Sequence, residues 1–389
     1  MSTSVSRFNL ANRLEHVGFS DIVNIRNKIL ELRSTGLQVF QFEGGEPLGE
    51  TPSTIKEAMC AALVENRTRY APSSGIPELR QAIAEKLCAR NGIRASMDEV
   101  IVLNGGMQGL FAAFQAVVNP GDEVIVFSPY WTPIKDLISH CEGVPVLVQT
   151  EKALREGLYG MLENTLSDRT RAIYFNSPQN PTGFVFDRKS ASEVATFAQD
   201  HDLVVIADEA YEDLVYEGEH FSIGSLEGMN ERTITCYTFS KSYSMTGWRL
   251  GYAVAEEPWM TGMRKALLYS TNGVSTPTQW AGLAALSMDS SYRRATLDAY
   301  RQRRNLMVKG LNDLGLKCSS PGGAFYAFPD VSAINSDSRQ AADILLRRAR
   351  VATVPGAVFG PHGENHLRFS FSTSIENIEG GLESLRTNL

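Results

Sequence analysis

The sequence predicts an α/β protein: a large domain on a mostly parallel sheet of seven strands, joined to a smaller α+β domain. Three observations carry this. Seven short apolar runs, at 100–103, 123–127, 144–148, 172–175, 203–207, 233–238 and 250–255, follow one another with helical segments between several of them. Continuous apolar runs with helical crossovers read as buried, largely parallel strands. From about residue 288 the texture changes to one long helical pattern followed by mixed strands and helices. The third observation is size: 389 residues, 43% hydrophobic and 21% charged, suffice for two or three domains with a well-buried core.

The elements follow in chain order. Ile22, Val23, Ile25, Ile29 and Leu30 recur at helical spacing over about 21–32, and Gly36 ends the pattern as a C-cap would. Residues 39–42 read as a strand before the turn Gly44-Gly45-Glu46-Pro47, and 53–65 and 77–91 as helices, Pro77 sitting well at a first helical position. Between the strands, helices fall near 107–118, 133–141 and 190–201. A long helix covers about 288–314, and the tail mixes strands at 324–328 and 367–372 with helices at 338–349 and 375–386. The expected division is 1–44 for an N-terminal arm with part of the small domain, 45–285 for the large domain and 286–389 for the small C-terminal domain. No internal repeat or low-complexity tract is visible.

Charge and cysteine usage narrow the function. The net charge of -7, from 37 basic and 44 acidic side chains spread along the chain, argues against a nucleic-acid partner. Five widely spaced cysteines with no C-x-x-C pair argue against a disulfide framework or a zinc site and fit a reducing compartment. The six histidines have no metal-ligand spacing, so no metal is expected. With no apolar stretch at the start and no run of about 18 apolar residues, neither a signal peptide nor a membrane partner is expected, and the location expected is cytoplasmic.

The chemistry-bearing residues lie at strand ends. Ser240-Lys241 and, past a glycine turn, Gly247-Trp248-Arg249 suit a covalent aldehyde cofactor carrying a phosphate: the lysine forms an imine while the hydroxyl and the arginine hold the dianion. A nucleophilic lysine needs a lowered pKa, which a neighbouring arginine helps to supply. Gly105-Gly106-Met107 opens a helix directly after a strand, where backbone N–H groups and the helix dipole favour an anion, although such a turn also occurs with no ligand. Asp208 ends an apolar strand at the edge where open α/β sheets bind ligands. It suits a proton on a heterocyclic nitrogen or, alternatively, a plain helix cap; Tyr211 beside it suits a phenolic oxygen or a half-buried position. Asn176 to Gly183, with Pro178 and Pro181, makes a rigid turn in which either X-Pro bond is a cis candidate. That turn would fix the Asn180 amide as a donor or serve as a turn alone. Trp131 suits stacking on a planar ring or a place in the core. Arg368, on a strand-like alternation, offers a fork for a carboxylate or a surface salt bridge.

In this order along the chain, these segments resemble the class I/II aminotransferases of the fold-type I pyridoxal-phosphate enzymes. The resemblance runs from about Gly44 to Ser372. It rests on Gly45-Glu46-Pro47 with Thr51-Pro52, Tyr70 through Gly75 to Glu78-Leu79-Arg80, Gly105-Gly106, Asn119-Pro120-Gly121-Asp122, Pro129-Tyr130-Trp131, Asn176-Ser177-Pro178 with Asn180-Pro181-Thr182-Gly183, Asp208-Glu209-Ala210-Tyr211, Ser240-Lys241 with Met245 to Arg249, and Arg368. It implies pyridoxal 5′-phosphate held by Lys241 as a Schiff base, the same lysine moving the substrate proton. It implies Asp208 on the pyridine nitrogen, Tyr211 and Asn180 on the ring oxygen, Trp131 stacked on the ring, and Gly106, Met107, Thr238, Ser240 and Arg249 around the phosphate. Arg368 then clamps the substrate carboxylate, with the backbone near Gly45 beside it. Tyr70 reaches the phosphate of a neighbouring subunit, which implies a homodimer with shared sites. The activity implied is transfer of an amino group from an L-amino acid to a 2-oxo acid.

The pattern departs from that family at three places, the first two of which bear on substrate. Relatives of the aspartate type commonly carry a lysine for the distal carboxylate where this chain has Met107, a soft apolar side chain. Leu48-Gly49-Glu50 replaces a frequent Asp-Phe-Asp near the substrate entrance, and Thr238 stands where serine or glycine is common. The expectation is therefore a donor other than aspartate, with an apolar, aromatic or otherwise specialised side chain. Alternative chemistries on the same scaffold are a lyase, a decarboxylase or an oxidative deaminase. A non-enzymatic regulator would need an added DNA-binding domain, for which no room is seen before residue 20.

Overall fold

The structure, a computed structural model, describes residues 11–15, 17–18, 29 and 36–389. Apart from Ile29, the helix expected over 21–32 lies outside the described residues. The strands among them are β1 (Phe40–Gln41), β2 (Val100–Leu103), β3 (Glu123–Ser128), β4 (Val144–Gln149), β5 (Thr170–Asn176), β6 (Val204–Asp208), β7 (Thr233–Thr238), β8 (Gly251–Val254), β9 (Tyr326–Ala327), β10 (Val351–Ala352), β11 (Val354–Pro355) and β12 (Leu367–Ser370).

Seven of these form one sheet in the order β2-β8-β7-β6-β5-β3-β4. All pairs are parallel except those of β8, which runs antiparallel to both β2 and β7. Every residue of β2, β3, β6 and β8 is buried, the reason their runs are continuously apolar rather than alternating. Helices cover both faces. Gly106–Val117, Pro133–His140 and Trp259–Ser270 pack with one set of buried strand residues, and Arg188–Asp200 and Leu158–Glu163 with another. A third cluster joins the sheet's β2-β8 edge to the helices Pro77–Lys86 and Thr276–Leu286.

The remaining strands build two small sheets, β1-β10 and β11-β12-β9. The long helix Ser290–Asp313 and the helix Ile375–Asn388 bury Tyr300, Met307, Leu311, Ile378, Leu382 and Leu385 against β9 and β12. β1 belongs here by pairing with β10 in register Phe40↔Val351, so the chain passes from this small layer into the large sheet after Phe42. No helix among the described residues is long and apolar enough to cross a membrane. The five cysteines are free thiols, of which Cys141, Cys236 and Cys318 are buried.

Candidate active site

Strands of like direction end at one edge, and the chemistry-bearing residues leave the sheet there. β2 gives way to Gly105-Gly106, β3 to Trp131, β5 to Asn176 and Asn180, β6 to Asp208 and Tyr211, and β7 to Thr238, Ser240 and Lys241. From the small layer come Gly45, Tyr326 and Arg368. All of these except Gly105 line one cavity of about 340 Å³, together with Met107, Leu110, Ala210, Glu43, Gly44 and Arg249. Twelve of the thirteen residues singled out from the sequence are thus brought together.

Tyr70 is not among them. It is 96% exposed and lies in a separate surface concavity with Arg69, Asn272 and Thr276.

The side of the cavity around Gly106 and Arg249 is built by local sequence. Gly105 has φ +86, a left-handed value that favours glycine. A Cβ there would stand 2.6 Å from Arg249 Nη2, and one at Gly251 would stand 2.8 Å from the Gly105 carbonyl carbon. The helix starting at Gly106 has no side-chain cap, which leaves its first N–H groups free for an anion. Opposite, the Thr238 hydroxyl donates to Ser240 Oγ at 2.8 Å and accepts the Ser240 N–H at 3.1 Å. Arg249 adopts φ 53 and ψ 58, unusual for a residue with a side chain. Its Nη1 donates to Thr246 O at 2.7 Å and its Nη2 to Asn104 O at 3.3 Å.

Lys241 and Asp208 are tuned in opposite directions. Lys241 Nζ donates to Gly45 O at 2.6 Å. Loss of solvent, then the Arg368 charge and, more weakly, Arg249, lower its pKa to about 8, against a pull upward from Glu46. Burial raises the Asp208 carboxyl to about 6, although Tyr174 and the Ala210 N–H both favour its charged form. Tyr174 Oη donates to Asp208 Oδ2 at 2.7 Å and the Ala210 N–H to Oδ1 at 3.2 Å. The turn that follows is anchored beneath by a buried network: His220 Nε2 meets Glu209 Oε2 at 2.7 Å, Ser222 donates to Glu209 Oε1 at 2.6 Å, and Lys86 donates to Glu212 at 2.6 Å. Glu209, Glu212 and His220 lie close enough to share an ion, yet Lys86 already supplies a cation to Glu212.

Another side of the cavity centres on Arg368, which is 3% exposed. Its Nη1 donates to Asn180 Oδ1 at 3.1 Å and its Nη2 to Glu43 O at 2.8 Å, while Nε is buried with no partner. The guanidinium lies 4.4 Å from the Tyr326 ring centroid and 5.0 Å from that of Phe359. The alternative of a surface salt bridge for this residue is thereby excluded. Tyr211 Oη meets Tyr326 Oη at 2.9 Å. Asn176 ties two site loops, its Nδ2 donating to Asp208 O at 2.9 Å and its Oδ1 accepting the Asn180 N–H at 3.1 Å. Both Ser177-Pro178 and Asn180-Pro181 are cis.

The residues present fit a phosphorylated pyridine aldehyde. The glycine cradle with free N–H groups suits the phosphate, a near-neutral amine suits the aldehyde, a buried carboxylate suits the ring nitrogen, and the orphaned Arg368 Nε lies beside a site for a second anion.

Sequence reading missed Tyr326, Asn176 and Glu43. Asn176 lies inside the Asn-Ser-Pro motif and was available from it. Tyr326 sits 115 residues from its partner Tyr211, and nothing local distinguishes it from the core aromatics around it.

Comparison with known proteins points the same way. The family model described as aminotransferase class I and II matches residues 38–385. The chain is 41% identical over 380 residues to the aspartate/prephenate aminotransferase of Thermus thermophilus, covering 96% of this chain and 97% of that protein. It is 36% identical over 382 residues to aromatic-amino-acid aminotransferase 2 of Thermococcus litoralis, covering 97% of each. The solved structure of aspartate aminotransferase from Thermus thermophilus with maleate superposes with a TM-score of 0.92 at 41% identity, covering 98% of this chain and all of that one.

Proposed function

Because this chain belongs to the class I and II aminotransferases, fold-type I enzymes that use pyridoxal 5′-phosphate, we propose that it takes its amino group from an L-amino acid other than aspartate. The donor proposed has an apolar or aromatic side chain, and the acceptor is a 2-oxo acid. The observation that carries this is Met107, 38% exposed in the cavity wall. The lysine and arginine side chains in that wall are Lys241, Arg249 and Arg368. If they serve the aldehyde, the phosphate and the α-carboxylate, no lysine or arginine among the described lining residues remains for a second carboxylate. The relatives named for aspartate, prephenate and aromatic amino acids span the choice, and Met107 favours its apolar side.

The cofactor, when bound, supplies an aldehyde for the substrate amine and a ring that accepts the electrons released at the substrate Cα. In the proposed roles Lys241 bonds the aldehyde, Asp208 holds the proton of the ring nitrogen, and Tyr211 and Asn180 contact the ring oxygen. Trp131 covers the ring face, and Gly106, Met107, Thr238, Ser240 and Arg249 hold the phosphate. Arg368 fixes the α-carboxylate beside Gly45 and so orients the Cα–H toward Lys241. A lysine titrating near pH 8 can take that proton and return it under mild conditions. Tyr70, exposed and away from its own cavity, is proposed to complete the phosphate cup of a second copy in a homodimer. Steady-state turnover on aspartate, phenylalanine, leucine and arginine with 2-oxoglutarate or pyruvate tests the substrate reading. Preference for phenylalanine or leucine supports it, and a clear preference for aspartate overturns it.

A further inference from the structure

Tyr174 has no part in the cavity wall, yet it touches the carboxylate most exposed to the consequences of burial. It stands on β5, where Asn176 is the register partner of Asp208 and Tyr174 that of Ile206. Tyr174 therefore lies two residues earlier on the same face as Asn176, diagonal to Asp208 and within reach of a long side chain. Its ring is 2% exposed and packs 6.4 Å from the Phe114 ring centroid. A phenylalanine would satisfy that packing, so the hydroxyl is the part left to explain. It donates to Asp208 Oδ2 at 2.7 Å, and burying a hydroxyl is favourable only with such a partner.

We propose that Tyr174 is a positioning residue, whose phenol holds Asp208 in one orientation and favours its ionised form, ready for a protonated ring nitrogen. This rests on the proposed role of Asp208. With Oδ2 held by Tyr174 and Oδ1 by the Ala210 N–H, the carboxylate cannot rotate without breaking a bond. The other groups that act on its charge are Glu209 and Lys241, with Cys236 and Tyr211 close by. Burial and Glu209 disfavour the anion; Tyr174, Ala210 and Lys241 favour it. Among these, Tyr174 is the largest pull toward ionisation. Without it the Asp208 pKa rises further above about 6, and the anion is lost over a wider acid range.

The test is the affinity of the cofactor-free protein for pyridoxal 5′-phosphate from pH 5 to 9, measured by equilibrium dialysis on the wild type, Tyr174→Phe, Asp208→Asn and the double variant. The expected result is an acid-side midpoint shifted upward by about one pH unit in Tyr174→Phe, equivalent to about a tenfold change in the protonation equilibrium. Asp208→Asn should weaken binding and abolish that midpoint, and adding Tyr174→Phe to it should change nothing more. If Asp208→Asn weakens binding but Tyr174→Phe leaves the midpoint in place, the positioning role is wrong and the role of Asp208 stands. If Asp208→Asn leaves affinity unchanged, the reading of Asp208 itself fails. A packing role alone would weaken binding equally with and without the Asp208 carboxylate, which would also overturn the proposal.

Discussion

Replacing Arg368 by methionine removes the fork and the charge while keeping much of the volume. In the structure the guanidinium is buried, two of its nitrogens are bound to Asn180 Oδ1 and Glu43 O, and aromatic rings flank it. The methionine variant leaves those two acceptors bare and, in the proposed role of Arg368, the substrate carboxylate without a counter-charge. A hydrogen bond to a charged group contributes about 1.5–3 kcal/mol. Losing a bidentate pair therefore removes roughly 3–6 kcal/mol of transition-state binding, or about 10²–10⁴ in kcat/KM. Arg368→Lys should recover only part of this, because an ammonium is a point charge that cannot span both oxygens. The assay is the single half-reaction of loaded enzyme with excess amino acid, followed by the cofactor's absorbance. A simple amine lacking the α-carboxylate serves as control and should react at a similar rate with both enzymes. A second readout comes from Lys241, whose pKa of about 8 is held down by Arg368 more than by any other charge. Removing that charge raises the lysine pKa, so the pH midpoint for imine formation between the cofactor-free protein and added pyridoxal 5′-phosphate should move to higher pH. A loss of less than about tenfold in kcat/KM on amino acids, or an equal loss on the simple amine, would refute the clamp.

Further outcomes follow from the same geometry. Met107→Lys places a cation in the cavity wall and should raise kcat/KM for aspartate relative to phenylalanine by about tenfold, since about 1.4 kcal/mol is modest for a partly screened charge pair; an unchanged ratio counts against Met107 as a selector. Gly105→Ala forces a side chain onto a φ of +86 and against Arg249, so it should cost more than about 1 kcal/mol of stability and weaken cofactor binding, read by thermal midpoint and dialysis. Asp208 has a folded-state pKa near 6, above its ordinary 3.8, so its ionised form burdens the cofactor-free fold. That burden is fully present above about pH 6 and fades as pH falls toward 4. Asp208→Asn loses one of the two bonds to the carboxylate at every pH but removes this burden, so the stability difference between variant and wild type should move in the variant's favour by about 3 kcal/mol between pH 4 and pH 8, measured by denaturant midpoints; a difference that does not change with pH would contradict the assignment.

The sheet was legible because its strands are buried on both faces, which leaves runs such as 100–103 and 203–207 without polar interruption. Their direction was not, since an apolar run looks the same either way; β8 turned out antiparallel to both neighbours. Helices at Thr150–Glu156, Leu158–Glu163, Trp259–Ser270 and Thr276–Leu286 escaped notice. The last of these buries Thr278, Gln279 and Gly282 along with Ala281 and Ala285, so its inward face carries little apolar contrast. The site was legible wherever a residue sat in a motif at a strand end, as Asp208, Asn180 and Lys241 do. Tyr174 and Tyr326 escaped because their roles depend on pairs brought together across the sheet or between layers. Tyr174 in particular reads as one more apolar residue of its strand until the register with β6 is known.

The account turns on Lys241 as the residue that holds the cofactor aldehyde. Borohydride reduction of the protein loaded with pyridoxal 5′-phosphate, followed by digestion and mass spectrometry, tests this directly. The account predicts a single reduced adduct on Lys241 and none in Lys241→Ala, whose absorbance band from the bound imine should also be missing. An adduct on another lysine at full occupancy, or an unchanged band in Lys241→Ala, would contradict it.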